Sequence, residues 1–258
     1  MRVPKTSITS FKREMSSSFP SSATRQIDDW LSFVVRMKVK ELDLYGGGYC
    51  LPQFVLSASS LTVLKLRNMK LEAPSPSNFP SLKVLSLSDV EVYSKSLQNL
   101  VSGCPIIEDL HLEKYNFGAP ISLRVSFWDH ILFEADLRTP NLVFLHLTCF
   151  AESNISVEAS QQLEANLYVR DSSMNKTSYY DLVRLLSNLK CSKKMTLTTE
   201  CESALIIQKG VRNMSLPPLP NLKHLTLKIH GRLTRNLKLQ ESLLWCAPSV
   251  EAIEIYAS

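Results

Sequence analysis

Aliphatic residues recur along this chain in a fixed phrase. In FPSLKVLSL (79–87), Pro80 is followed by Leu82, Leu85 and Leu87, with polar or small residues in most of the places between. The same spacing returns in CPIIEDLHL (104–112), TPNLVFLHL (139–147), LPNLKHLTL (219–227) and APSVEAIEI (247–255). Each has proline second and aliphatic residues fourth, seventh and ninth. Copies without the proline stand at KVKELDL (38–44) and SSLTVLKL (59–66), with looser ones around Leu167/Val169 and Met195/Leu197. The closing aliphatic pairs therefore fall at 42/44, 64/66, 85/87, 110/112, 145/147, 167/169, 195/197, 225/227 and 253/255, at steps between 21 residues (64 to 85) and 35 residues (110 to 145).

The closing pair alternates with polar residues at the period of a β-strand, so Leu85 and Leu87 are expected to point inward while Ser86 and Ser88 point out. The first aliphatic of each phrase enters the core from the turn before the strand. Proline there fixes φ and removes a donor, which suits a bend where the ladder has not begun. One such coil cannot bury its leucines alone, and stacking parallel strands builds a core that each neighbour extends. An L-x-x-L-x-L core at steps of about 20–29 residues is the mark of leucine-rich repeats. The predicted fold is accordingly α/β, a leucine-rich-repeat solenoid of about nine to ten repeats. It has a curved parallel sheet on the concave side and short helices and turns on the convex side. The long step at 110 to 145 implies one further, poorly kept repeat at SLRVSF (122–127).

Three segments carry helical spacing. Residues 94–105 place Leu97, Leu100 and Val101 at i, i+3, i+4 after Ser94 or Ser96, with Gly103 as a stop, and residues 177–190 place Leu182, Leu185, Leu186 and Leu189 likewise. Near the start, TRQIDDWLSFVVR has Thr24 as a candidate cap and Ile27, Trp30, Leu31, Val34 and Val35 on one face. This helix is expected to cover the open end of the stack. The expected organisation is a flexible leader, 1–23, followed by one repeat domain, 24–258. The GGG at 46–48 lacks the strand and helix of a phosphate loop and reads as a plain loop.

Composition narrows the function classes. The 258 residues are 45% hydrophobic and 21% charged, an ordinary globular balance, and no apolar run approaches the eighteen or so residues of a membrane span. The formal charge of +5 is held entirely by residues 1–40, where Arg2, Lys5, Lys12, Arg13, Arg25, Arg36, Lys38 and Lys40 face Glu14, Asp28 and Asp29. The rest is balanced, so no nucleic-acid partner and no membrane partner is expected. The start lacks the apolar block of a secretory signal. Cys50, Cys104, Cys149, Cys191, Cys201 and Cys246 form no CxxC pair, so reduced thiols and a cytoplasmic or nuclear location are expected.

No GxSxG, HExxH, Walker or dinucleotide fingerprint is present. The chain reads as non-enzymatic, with no cofactor and no metal assigned. What the strand register supplies is a band of side chains on the concave face: Asp43, Tyr45, Lys65, Arg67, Asp109, His111, Glu113, Phe144, His146, Tyr168, Arg170, His224, Lys228 and Tyr256. Mixed charge with a few aromatics suits recognition of another protein more than a phosphate groove.

Taken together, DDWLSFVVRMKVKELDL, LPQFVLSASSLTVLKLRNMKLEAP, FPSLKVLSLSDVEV and LQNLVSGCPIIEDLHLEKY resemble the leucine-rich region of the plant F-box/LRR proteins, including those that end in an FBD domain. The resemblance is close over residues 27–150 and looser beyond. It implies a scaffold akin to the substrate-recognition part of an SCF-type ubiquitin ligase, its partner a protein to be ubiquitinated. In that family an F-box docks on a Skp-type adaptor. Residues 1–26 do not resemble an F-box, so the adaptor is expected only where an F-box precedes this chain. Two alternatives stay open at this point: a small-molecule-sensing repeat pocket, and a truncated, non-functional gene product.

Overall fold

The structure, a computed structural model, describes residues 8–15, 21–71, 78–92, 94–113, 134–160, 162–170, 179–231 and 237–257. The chain forms two compact units, Met1–Asn116 and Phe117–Ser258.

In the first unit, β1 (Ser10–Met15), α1 (Ser21–Arg36), β2 (Glu41–Cys50), a 3-10 turn (Val55–Ser57), β3 (Val63–Leu71), β4 (Val84–Ser88), β5 (Glu91–Val92), α2 (Ser94–Ser102) and β6 (Asp109–Glu113) follow in order. The strands pair in parallel as β1-β2-β3-β4-β6, and β5 pairs the end of β3. The register carries the sequence repeat into space. Leu42, Leu64, Leu85 and Leu110 align in one row, and Leu44, Leu66, Leu87 and Leu112 in another. All eight are 5% exposed or less.

In the second unit, β7 (Glu134–Thr139), β8 (Phe144–Phe150), β9 (Asn154–Ala159), β10 (Leu163–Arg170), α3 (Tyr179–Ser187), β11 (Ser192–Thr199), a 3-10 turn (Glu202–Leu205), α4 (Lys209–Met214), β12 (His224–Ile229), α5 (Leu237–Cys246) and β13 (Ala252–Ala257) follow. The parallel order is β8-β10-β11-β12-β13. Leu147, Leu167, Leu197, Leu227 and Ile255 form its matching row. Ile255, on the last described strand, is 40% exposed where Leu227 is 0%. No helix among the described residues is long and apolar enough to cross a membrane.

Each proline-led phrase builds the same turn. The fourth residue donates its N–H to the carbonyl of the first: Leu82 to Phe79 at 3.2 Å, Ile107 to Cys104 at 3.2 Å, Leu142 to Thr139 at 2.9 Å, Leu222 to Leu219 at 3.3 Å and Val250 to Ala247 at 3.1 Å. Proline sits at the second turn position, where its fixed φ is wanted and no N–H is needed. Strands then begin on a shared acceptor. Thr62 O takes the N–H groups of Lys83 and Val84, Lys83 O those of Glu108 and Asp109, and Lys223 O those of Glu251 and Ala252.

Four expectations change. The stretch expected as a flexible leader contains β1, which pairs with β2 along its whole length. The helix begins at Ser21, so Thr24 lies inside α1 instead of capping it. The GGG run is not a loop but part of β2: the register jumps between Tyr45 and Tyr49, and this bulge absorbs the extra residues. Its first glycine has a packing reason, since a Cβ on Gly46 would lie 2.5 Å from the Met15 methyl. Lastly, the second unit uses strands as well as helices between the main strands, with β7 and β9 pairing in parallel as a separate ladder. SLRVSF (122–127) lies outside the described residues.

Candidate functional site

Alternation decides which side chains the main strands present. With the leucines turned into the core, the intervening residues form rows across the opposite face, one side chain per strand. In the first unit one row runs Lys12, Asp43, Lys65, Ser86 and His111, and the next runs Glu14, Tyr45, Arg67, Ser88 and Glu113.

These rows are tied together by charge. Arg67 donates through Nη2 to Asp43 Oδ1 at 3.0 Å while its guanidinium carbon lies 5.9 Å from the Tyr45 ring centroid. Arg67 is thus held by a carboxylate on one neighbour and an aromatic face on the same strand. His111 Nε2 lies 3.0 Å from Glu113 Oε2, and Ser88 Oγ donates to that same oxygen at 3.4 Å. Asp109, half-buried beside them, has its carboxyl pushed up by burial, with His111 and Lys65 pulling it back down.

The second unit presents three further rows: Phe144, Glu164, Lys194 and His224; then His146, Asn166, Thr196, Thr226 and Glu254; then Thr148, Tyr168, Thr198, Lys228 and Tyr256. In the first, Lys194 Nζ pairs with Glu164 Oε1 at 2.9 Å, beside a Phe144 that is 48% exposed. In the second, Glu254 accepts from Tyr256 Oη at 3.1 Å, a bond that pushes the phenol up. In the third, Tyr168 on β10 meets His230, just past β12, across the intervening β11, with ring centroids 5.8 Å apart. Thr198 between them is buried, and so is Thr148, whose Oγ1 has no hydrogen-bond partner among the described residues.

The residues expected on the recognition face alternate with the buried leucines within each unit: Asp43, Tyr45, Lys65, Arg67, Asp109, His111 and Glu113 in the first, and Phe144, His146, Tyr168, Arg170, His224, Lys228 and Tyr256 in the second. Sequence reasoning missed Lys12 and Glu14, whose strand was not foreseen. It also missed His230, which lies just beyond the leucine phrase and contacts Tyr168. Three of the six thiols offer little nucleophilic chemistry: burial pushes those of Cys104, Cys149 and Cys246 up to about 12.

The stacked leucine rows and their polar face are those of a leucine-rich repeat, and the comparison with known proteins agrees. The family model described as "FBD-associated F-box protein At5g56370, LRR repeats" matches residues 27–255. The chain belongs to this F-box/LRR family. Among relatives from Arabidopsis thaliana, the F-box/FBD/LRR-repeat protein At1g13570 is 27% identical over 71% of this chain and 42% of its own length. The putative F-box/LRR-repeat protein At4g15060 is 24% identical over 80% of this chain and 59% of its own. The putative F-box/LRR-repeat protein At5g02700 is 25% identical over 89% of this chain and 54% of its own. The chain spans about half the length of these F-box/LRR relatives. What it shares with them is a leucine-rich-repeat region of the protein-interaction kind.

Proposed function

We propose that this F-box/LRR region selects a protein for ubiquitination, as the recognition part of an SCF-type ligase, in the cytoplasm or nucleus. One observation carries the reading. Within each unit the residues alternating with the buried leucines leave large side chains open on the side opposite the core, Tyr45 at 37% in the first and Phe144 at 48% and Tyr256 at 56% exposed in the second. Aromatic side chains held on a rigid sheet lose little entropy when a partner covers them, and such residues carry most of the affinity in protein interfaces. Membership in a family whose relatives bear F-box names supplies the ligase context.

The test is co-purification of the tagged chain from plant cells with mass spectrometry, alongside the variant Tyr45→Ala/Arg67→Ala. A partner that is captured by the native chain, lost with the variant and stabilised by proteasome inhibition is the expected result. A partner set unchanged by face substitutions, or one whose level ignores the proteasome, overturns the reading.

A further inference from the structure

In each unit most of the charged side chains that alternate with the buried leucines are paired. In the first, Arg67 is paired with Asp43, His111 with Glu113 and Lys12 with Glu14 at 3.6 Å. In the second, Lys194 is paired with Glu164. Lys65 on β3, which pulls the Asp109 carboxyl down, and Lys228 on β12 are exposed, and neither ammonium makes an ion pair or hydrogen bond among the described residues; the one in the second unit is Lys228. Its row, Thr148, Tyr168, Thr198, Lys228 and Tyr256, contains no acid at all.

The rest of that row is built for contact. Tyr168 and Tyr256 stand on either side of the lysine, and His230 braces Tyr168 from the strand end. Thr148 is 8% exposed, and its hydroxyl lies beneath the row and has no hydrogen-bond partner among the described residues. An unmatched cation between aromatic rings is complementary to a carboxylate carried on an extended chain, whose backbone and apolar carbons lie against the rings.

We infer that the row Thr148, Tyr168, Thr198, Lys228 and Tyr256 receives an acidic segment of a protein partner, a Glu or Asp side chain reaching Lys228. This rests on the partner-selecting role proposed above and names the chemistry of the partner. Lysine serves here as a point charge with three rotatable donors, which can donate to a carboxylate from several directions. The attraction is open to solvent and therefore weakens as salt rises.

The experiment is fluorescence anisotropy on the full chain with a labelled ten-residue peptide of alternating Glu and Leu, its Gln counterpart and its Lys counterpart, at two salt concentrations. The expected result is binding of the Glu peptide at least about tenfold tighter than the Gln peptide, a step worth about 1.4 kcal/mol. Higher salt weakens it, and Lys228→Glu reverses the preference toward the Lys peptide. Tyr168→Ala weakens the Glu peptide without altering the charge preference, and circular dichroism reports that both variants keep their fold. Equal binding of Glu and Gln peptides, absence of binding, preference of the native chain for the Lys peptide, or an unchanged Glu affinity in Lys228→Glu overturns the inference. The two proposals fail separately. A cellular partner lost with Tyr45→Ala/Arg67→Ala but retained by Lys228→Glu leaves the recognition role standing and removes the acidic segment.

Discussion

At the scale of single residues, burial and hydrogen bonding assign unequal roles to neighbours in one phrase. Leu85 is fully enclosed while Ser86 beside it is half-exposed on the opposite face. Leu85→Ala is expected to lower the free energy of unfolding by about 2–5 kcal/mol, and Ser86→Ala to change it by less than about 0.5 kcal/mol, both read from urea denaturation. Ser242 is a polar counterpart to Leu85. Its hydroxyl, 0% exposed, accepts from Ile207 N–H at 2.9 Å and donates to Lys238 O at 2.8 Å, joining α5 to the segment after the second 3-10 turn. Ser242→Ala strands that buried N–H and is expected to cost about 1–3 kcal/mol in the same measurement. Gly231 marks a backbone approach: a Cβ there would lie 2.9 Å from Glu200 O, and a carbonyl cannot swing aside like the end of a side chain. Gly231→Ala therefore lowers the melting temperature, and it also disturbs the His230 ring that leans on Tyr168.

At the scale of elements, stability is shared chiefly between adjacent strands, as expected where each repeat touches only its neighbours. Leu197→Ala on β11 is expected to raise amide hydrogen exchange in β10, β11 and β12 while leaving β2 and β3 at native protection; uniform loss of protection across the chain would contradict this. The same locality explains what could be read from the sequence. The leucine pairs were legible because each strand buries one face only, which forces alternation at period two. The proline turn was legible because proline suits few other places. β1 was not, since SFKREM offers only Phe11 and Met15 to the core side and surrounds them with charge, the dress of an edge strand. Nor was the glycine run in β2, because glycine disfavours strands and its purpose there, room for Met15, exists only once β1 has docked. On the face itself, register foretold which residues stand together, but pairing was invisible: nothing in the string distinguishes matched Lys194 from unmatched Lys228.

At the scale of the whole molecule, the buried thiols predict behaviour in alkali. Cys104, Cys149 and Cys246 carry thiols raised from the ordinary 9.0 to about 12, by burial in each case. In the folded chain they hold their protons where the unfolded chain has begun to lose them. Their contribution is thus fully present below about pH 9 and is lost as pH rises from there toward about 12. Denaturation midpoints measured across that window should fall with pH, and replacing the three cysteines with alanine should flatten the part of the slope they cause. Alkylation at neutral pH should label exposed Cys50 first and leave these three until the chain unfolds.

The in-register parallel ladder of the second unit also sets a ruler. Neighbouring strands lie about 4.8 Å apart, so the Tyr168 and Tyr256 strands, three steps apart in the order β10-β11-β12-β13, are separated by about 14 Å. Same-side residues of an extended peptide recur about every 6.8 Å, and two such intervals make about 14 Å as well. The two spacings disagree at every single step and coincide after three strands, in the manner of a vernier scale. A chain laid across this face can meet both tyrosines with residues four apart, while the side chain midway between them falls near the gap between β11 and β12, within a lysine's reach of Lys228.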